Sequence, residues 1–297
     1  MTEMNAVAVA CRICGRALEP GTSDLCSQCD PGMTPPPPEE AKTTILDLAL
    51  AFVVWGVSGG FLLAMELVTR LAYWFVFRSQ PKVEVTAGVA ILGLALTLVM
   101  HLAGFIAAWL VVTHMGKRPF WSRLGWKWHP QFKLIQAVGL AILMMGVAIV
   151  LEKTLPHKET DLEKILGLGM NVRILVALLA VGTAPLIEEI VYRGVVYASI
   201  EGLWGRAAAF LLSAAIFAVV HVPQYWGSAA AITAILTLSL VLTGLRAWTG
   251  QLLPCVVVHT IYNGIQAAAL LVAPQKLPDQ NQSQAAIVNL LHFVGLW

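Results

Sequence analysis

The chain has 297 residues, of which 58% are hydrophobic and only 12% are charged, and its mean hydropathy is +0.75. Because a soluble domain carries about 25% charged residues, this composition excludes an ordinary soluble protein and indicates that lipid surrounds most of the chain. The net charge of +2 gives no support to nucleic-acid binding.

Residues 1–30 carry four of the five cysteines, in two C-x-x-C pairs formed by Cys11 with Cys14 and by Cys26 with Cys29. This spacing is typical of a zinc ribbon, in which four thiolates close one tetrahedral zinc site and leave no position for a substrate. We therefore expect a structural zinc ion here, in a module that is structural or binds a protein partner. A set of free or disulfide-linked cysteines is the alternative.

Residues 31–42, PGMTPPPPEEAK, predict a linker, because consecutive prolines favour an extended chain. The segment 1–42 also lacks the basic stub and apolar run of a signal peptide. The N-terminus is therefore expected in the cytoplasm.

Apolar stretches recur from residue 43 to residue 297, and most of them are long enough to cross a membrane, which takes about 20 helical residues. They predict an all-α fold, a polytopic transmembrane bundle of seven or eight helices. The predicted spans lie near 44–68, 86–114, 134–152, 172–200, 206–222, 229–247 and 253–273. A last apolar piece, 285–297, either lies at the interface or forms an eighth helix.

Basic residues cluster in the loop between the second and third predicted spans, and such loops stay on the cytoplasmic side. They are Lys117, Arg118, Arg123, Lys127 and Lys133. This pattern also predicts an integral membrane protein with a cytoplasmic N-terminus. If the protein is bacterial, the membrane is the cytoplasmic membrane.

Two adjacent carboxylates, Glu188 and Glu189, fall inside the span that begins near residue 172. Each would cost about 2.5 to 3.5 kcal/mol to insert into a bilayer unless it is compensated. Arg193 follows Glu189 by four residues, so the two can form a buried charge pair on one helical face. Glu188 points about 100° away and is free for proton chemistry. Pro185, one turn earlier, predicts a kink.

Two further helices carry polar groups in apolar surroundings. His221 follows Phe217 by four residues, and His259 and Asn263 stand four apart on one helical face. One intramembrane histidine is usually a packed core residue, but three stretches with such groups predict a shared, water-accessible pocket. Cys255 stands alone in an apolar run and is expected to be a core residue.

Three motifs, E-E-x-x-x-R at 188–193, F-x-x-x-H at 217–221 and H-x-x-x-N at 259–263, resemble in order and spacing those of the CPBP family of intramembrane peptidases. That family includes CAAX prenyl proteases and bacteriocin-processing or self-immunity (Abi) proteins. The resemblance covers about residues 165–275, and RLGW at 123–126 looks like a short loop of the same proteins. Residues 43–297 are accordingly interpreted as a transmembrane peptidase domain.

The resemblance implies a glutamate-dependent endopeptidase. Glu188 would be the general base, His221 would help it to activate water, and His259 and Asn263 would stabilise the oxyanion. The charge pair would orient the helix and the base, and no cofactor is expected in this site. The implied partners are the membrane lipid and a peptide or protein substrate. This substrate is either a prenylated protein or a leader peptide.

Other functions use the same residues. One glutamate and two histidines could bind a catalytic zinc ion with an open fourth position, although the H-E-x-x-H spacing is absent. A proton-coupled transporter could use the carboxylates and histidines as a relay, but no inverted repeat is evident. A non-catalytic scaffold or immunity protein, with the ribbon recruiting a partner, is the third alternative.

Overall fold

The structure is a computed structural model that describes residue 18, residues 43–60 and residues 86–272, together with residues 62–64, 67–68, 71, 74 and 75. The predicted zinc ribbon with Cys11, Cys14, Cys26 and Cys29 lies outside the described residues. The linker at 31–42 and the last apolar piece at 285–297 lie outside them as well.

Ten α-helices and two π-helical stretches have both ends within the described residues, and residues 62–64, 67–68, 71, 74 and 75 are also helical; the described residues include no strand. The helices are α1 (Ile45–Trp55), α2 (Ala87–Val112), α3 (Phe120–Arg123), α4 (Leu134–Thr154), α5 (Asp161–Leu166), α6 (Met170–Gly182), α7 (Ala184–Glu188), α8 (Tyr197–His221), α9 (Ala229–Thr249) and α10 (Leu253–Val272). A π-helical turn, Gly56–Gly60, follows α1, and a π-helical segment, Glu189–Val196, joins α7 to α8. We call the second of these the π segment.

Five helical runs in the described part of the chain are long and apolar enough to cross a membrane. They are Ala87–Val112, Leu134–Thr154, Met170–His221, Ala229–Thr249 and Leu253–Val272. The all-helical membrane architecture is therefore confirmed, whereas the predicted count of seven or eight spans is not. Two predicted spans, 172–200 and 206–222, correspond to the single run Met170–His221. The first predicted span, 44–68, contains a shorter apolar helix, Ile45–Gly60.

The 52-residue run Met170–His221 is interrupted at several points. Pro185 lies in the first turn of α7, directly after the end of α6, where its missing N–H prevents a continuous backbone hydrogen-bond ladder. The wider turns of the π segment follow, and such π-helical stretches are frequent at functional sites. Gly205, with φ +83° and ψ 173°, breaks the helical geometry of α8. The proline and the π segment together set the direction of the acidic pair.

The π segment lies at the centre of the largest apolar core. Ile190, Val191 and Val196 are buried in it, and Phe217 and Val220 of α8 pack in the same cluster. Helix α10 packs against α6 and α4, and α9 packs against α8 and α4. Large apolar side chains remain exposed on the outer faces of the bundle, as expected for a surface that contacts lipid.

The loop that contains RLGW is hydrogen-bonded to the end of α9 and to the start of the connection that leads to α10. The Arg246 Nη1 donates to the carbonyl oxygens of Leu124, at 3.1 Å, and of Gly250, at 2.8 Å. The Leu252 amide donates to the Gly125 carbonyl at 2.8 Å. These bonds fix the short connection between α9 and α10.

We predict that Gly104→Ala lowers stability because α2 and the turn after α1 approach closely at this position. A Cβ on Gly104 would lie 2.5 Å from the Ser58 Cβ and 3.0 Å from its Cα, so backbone would have to move. The expected loss in the free energy of unfolding is about 1–3 kcal/mol. Thermal unfolding in detergent measures it.

Gly139→Ala on α4 is the matched control, since a Cβ there would meet nothing within 4 Å. This variant should unfold at the wild-type temperature or above it. Equal destabilisation by both substitutions would contradict the close approach.

Candidate active site

The polar residues singled out in the three motifs come together in the interior of the bundle. Two of them lie at the junction of α7 with the π segment, one begins the last turn of that segment, one ends α8, and two lie in α10. None is more than 8% exposed. They are Glu188, Glu189, Arg193, His221, His259 and Asn263.

Glu189 and Arg193 form the ion pair that their spacing predicts. The Arg193 Nη1 donates to the Glu189 Oε1 at 2.9 Å, and both side chains are fully buried. The rest of the guanidinium is also bonded. Nη2 donates to the carbonyl oxygen and to the Oγ of Ser239, both at 3.2 Å, and Nε donates to the Thr243 Oγ1 at 3.3 Å. Its Cζ lies 4.4 Å from the centre of the Phe217 ring, within range of a cation–π contact.

His259 contacts both carboxylates of the acidic pair. Its Nδ1 lies 2.9 Å from the Glu189 Oε1, the same oxygen that accepts from Arg193. Its Nε2 lies 3.8 Å from the Glu188 Oε2, which is too long for a hydrogen bond but close enough for attraction between charges. Nδ1 donates its proton to Glu189, so the ring is fixed with Nε2 directed at Glu188.

His221 is held by its own helix. Its Nδ1 donates to the Phe217 carbonyl oxygen at 2.6 Å, and its ring lies over the Phe217 ring with the centres 4.5 Å apart. A neutral imidazole that donates from Nδ1 carries its lone pair on Nε2. The backbone bond therefore selects the tautomer that can accept a proton at Nε2.

Asn263 reaches across to α6. Its Nδ2 donates to the Ala180 carbonyl oxygen at 2.9 Å. An amide nitrogen has two hydrogens, so one N–H remains for a ligand after this bond is made. The bond also fixes the direction in which that second hydrogen points.

A cavity of about 110 Å³ lies where these elements meet. Its polar side is formed by Glu188, His221, His259 and Asn263, whereas Glu189 and Arg193 lie behind it. The opposite side is mainly apolar and comes from α9, with Ala231, Ala234, Ile235 and Leu238. The volume accommodates a few water molecules or one substrate side chain. Charged groups and an apolar wall thus face the same space.

Sequence patterns did not identify several residues of this site. Ser239 and Thr243 stand four apart on α9, but serine and threonine in apolar helices commonly bond to their own backbone, so the spacing alone is ambiguous. Tyr225 and Tyr262 line the cavity as well. Burial raises the pKa of Tyr225, which lies in the loop between α8 and α9. Its phenol therefore stays protonated and can donate a hydrogen bond.

No group of three or more histidine, cysteine, aspartate or glutamate side chains within the described ranges has an arrangement that could hold a metal ion. Glu188, His221 and His259 line the same cavity but do not form such a group.

Residues 170–265 match the family model described as type II CAAX prenyl endopeptidase Rce1-like. The match begins with α6, ends within α10 and contains all six motif residues. It supports the resemblance to the CPBP intramembrane peptidases and implies protease activity. Comparisons with curated proteins and with solved structures found no match.

Replacing Arg193 with methionine should leave the Glu189 charge buried without its main partner. We expect the free energy of unfolding to fall by about 3–5 kcal/mol. The double variant Glu189→Gln/Arg193→Met should recover part of this loss, because it removes both charges. Thermal unfolding in detergent compares the variants.

Arg206→Met provides the control, since the Arg206 side chain is 73% exposed and its pair with Glu201 lies at the surface. Its effect should stay below about 1 kcal/mol. If Arg193→Met were as mild as Arg206→Met, the buried ion pair would not be important for the fold.

Proposed function

We propose that the chain is an intramembrane endopeptidase in which Glu188 activates the hydrolytic water. The observation that carries the proposal is the convergence of Glu188, His221, His259 and Asn263, from three separate elements, on one cavity buried among apolar helices. The match of residues 170–265 to a prenyl endopeptidase family supports it.

Hydrolysis begins with a water molecule in the cavity. Glu188 takes a proton from this water with help from the Nε2 of His221, and the water oxygen attacks the carbonyl carbon of the scissile peptide bond. The carbonyl oxygen becomes an oxyanion in the tetrahedral intermediate. Glu188 then returns the proton to the amide nitrogen, the C–N bond breaks as the C=O bond re-forms, and a carboxylic acid and an amine leave.

His259 and Asn263 stabilise the oxyanion. In this step both ring nitrogens of His259 donate a hydrogen bond, Nε2 to the oxyanion and Nδ1 to Glu189. The second amide hydrogen of Asn263 supplies the other donor, with the first held by Ala180. Glu189 and Arg193 thus act through His259 and need not touch the substrate.

The substrate is a peptide or protein that reaches the site from within or beside the bilayer. The apolar wall from α9 favours an apolar residue next to the scissile bond. A prenylated C-terminal peptide fits the name of the matched family, and a leader peptide is the second class. A cytoplasmic N-terminus with a zinc ribbon at residues 1–30 would add a docking module for a protein partner.

Glu188→Gln is expected to lower cleavage by about 10²–10⁴-fold, because the amide cannot take a proton from water. A farnesylated peptide that ends in Cys-aliphatic-aliphatic-X serves as the probe with purified protein. Comparison of membranes from cells with the intact protein or Glu188→Gln would reveal native substrates as peptides that accumulate uncleaved.

Glu201→Gln, which changes a partly exposed carboxylate of α8, should cleave at the wild-type rate. A Glu188→Gln protein that folds and cleaves normally would rule out the glutamate mechanism. A scaffold would keep its partner binding in this variant, and a transporter would lose transport without any cleavage in the wild type.

Zinc content separates the structural metal from a catalytic one. The intact chain should contain one zinc ion, and the variant with serine at Cys11, Cys14, Cys26 and Cys29 should contain none, because four thiolates form the predicted site. Cleavage by the serine variant should resist a chelator. One zinc per chain in that variant, together with activity lost on chelation, would instead support the metal-dependent form of the site.

A further inference from the structure

A second, smaller cavity adjoins Glu188. It has a volume of about 20 Å³ and is lined by Ser58, His101, Tyr192 and Glu188, together with apolar residues. Among the described lining residues, Glu188 alone belongs to both cavities. The Glu188 carboxylate therefore lies between the cavity of about 110 Å³, which we call the reaction cavity, and this second cavity on the side of α2.

His101 is the unexplained group in this space. It lies in the middle of the apolar helix α2 and is only 5% exposed. Its Nδ1 lies 2.8 Å from the Oγ1 of Thr183, the residue between α6 and α7. With Nδ1 engaged, Nε2 is the ring nitrogen that can bind a further polar group. An ionisable residue placed this deep in a membrane helix is costly without a function.

Glu188 needs a partner that its immediate neighbours do not provide. Within the described chain, no direct hydrogen bond to its carboxylate is formed, and the Nε2 of His259 lies 3.8 Å from its Oε2. By contrast, one oxygen of Glu189 is bonded to both Arg193 and His259. A general base that is free to rotate loses the geometry that proton transfer requires.

The second cavity can supply that partner through water. A buried water requires about 10–15 Å³ of such space and two to four polar neighbours, and the small cavity offers both. Ser58 already donates its hydroxyl hydrogen to the Trp55 carbonyl oxygen at 2.9 Å, so its oxygen can accept from the water. His101 and Glu188 complete the set of polar neighbours.

We propose that His101 is a positioning residue, which holds the Glu188 carboxylate through a water molecule bound in the second cavity. The proposal rests on the peptidase function, and it assigns a role to α2, which lies outside the segment matched by the family model. One carboxylate oxygen is held from the side of α2, and the other faces the reaction cavity. Thr183 orients the imidazole through its contact with Nδ1. Because Thr183 lies between α6 and α7, the orientation of His101 depends on the break between these two helices.

Steady-state kinetics with the farnesylated peptide tests the role. His101→Ala should lower kcat by about 10-fold to about 100-fold, because the Glu188 carboxylate loses its orientation. KM should stay unchanged, because the apolar side of the reaction cavity on α9 is intact. His101→Gln should restore part of kcat, since its amide reaches the position of Nε2. Thr183→Val, which keeps the volume and removes the hydroxyl, should lower kcat by a smaller factor.

Thr97→Val is the matched control, because Thr97 is buried on the same helix one turn before His101 and does not line either cavity. It should keep the wild-type kcat. A kcat within twofold of wild type in both His101→Ala and Thr183→Val would overturn the proposal, and so would an equal loss in Thr97→Val.

Infrared spectroscopy separates this proposal from the peptidase function. The difference between wild-type and Glu188→Gln spectra isolates the carboxyl band of Glu188, which should shift in His101→Ala and stay in place in Thr97→Val. A wild-type protein without cleavage would refute the peptidase function, and the band would still decide whether His101 acts on Glu188. An unshifted band in His101→Ala and Thr183→Val overturns the proposal whatever the activity.

Discussion

A single carboxylate oxygen, the Oε1 of Glu189, joins the parts of the candidate site. It accepts from Arg193 in the same π segment and from His259 on α10, and Arg193 in turn bonds to Ser239 and Thr243 on α9. A buried ion pair repays its desolvation only when further hydrogen bonds satisfy both partners. Here the guanidinium is bonded through all three of its nitrogens, whereas the Oε2 of Glu189 has no hydrogen-bond partner among the described residues. The bonds of the Oε1 and of the guanidinium hold three elements of the bundle in one register.

This arrangement gives two neighbouring glutamates different surroundings. Glu189 is bonded through one oxygen to Arg193 and His259, and this side chain has a structural task. Glu188, one residue earlier at the end of α7, lies between two cavities and has no direct hydrogen bond from the described residues. The divergence arises from the helical rotation of about 100° between consecutive residues. A carboxylate in an ion pair, next to one that faces a cavity, suits a site in which only one of them takes up a proton.

The sequence was sufficient to find the residues of the motifs but not all of their contacts. The spacing of four between Glu189 and Arg193, and between His259 and Asn263, determines which side chains share a helical face. Ser239 and Thr243 were missed because hydroxyl residues in apolar helices often bond to their own turn. His101 was missed because one histidine on a membrane helix carries no periodic signal. Its proposed role depends on the contact with Thr183 and on a cavity shared with Ser58, and both residues are distant in sequence.

The limits of the spans were harder to predict than the site. Hydropathy separates apolar from polar stretches, but it does not distinguish two helices from one run interrupted by Pro185, a π segment and Gly205. The predicted boundary between spans at 200 and 206 does coincide with the break at Gly205. The π segment was not predicted from the sequence, in which Ile190 and Val196 are simply apolar residues that the structure buries in the core.

The bonds from Arg246 and Leu252 to the loop at 124–125 bear on which part of the site is held most firmly. They attach the end of α9 and the start of α10 to the same short loop. The cavity includes Ala231 near the start of α9 and Gln266 towards the end of α10, both far along their helices from that attachment. The apolar side of the cavity is therefore built from the part of this helix pair that lies away from its anchored connection.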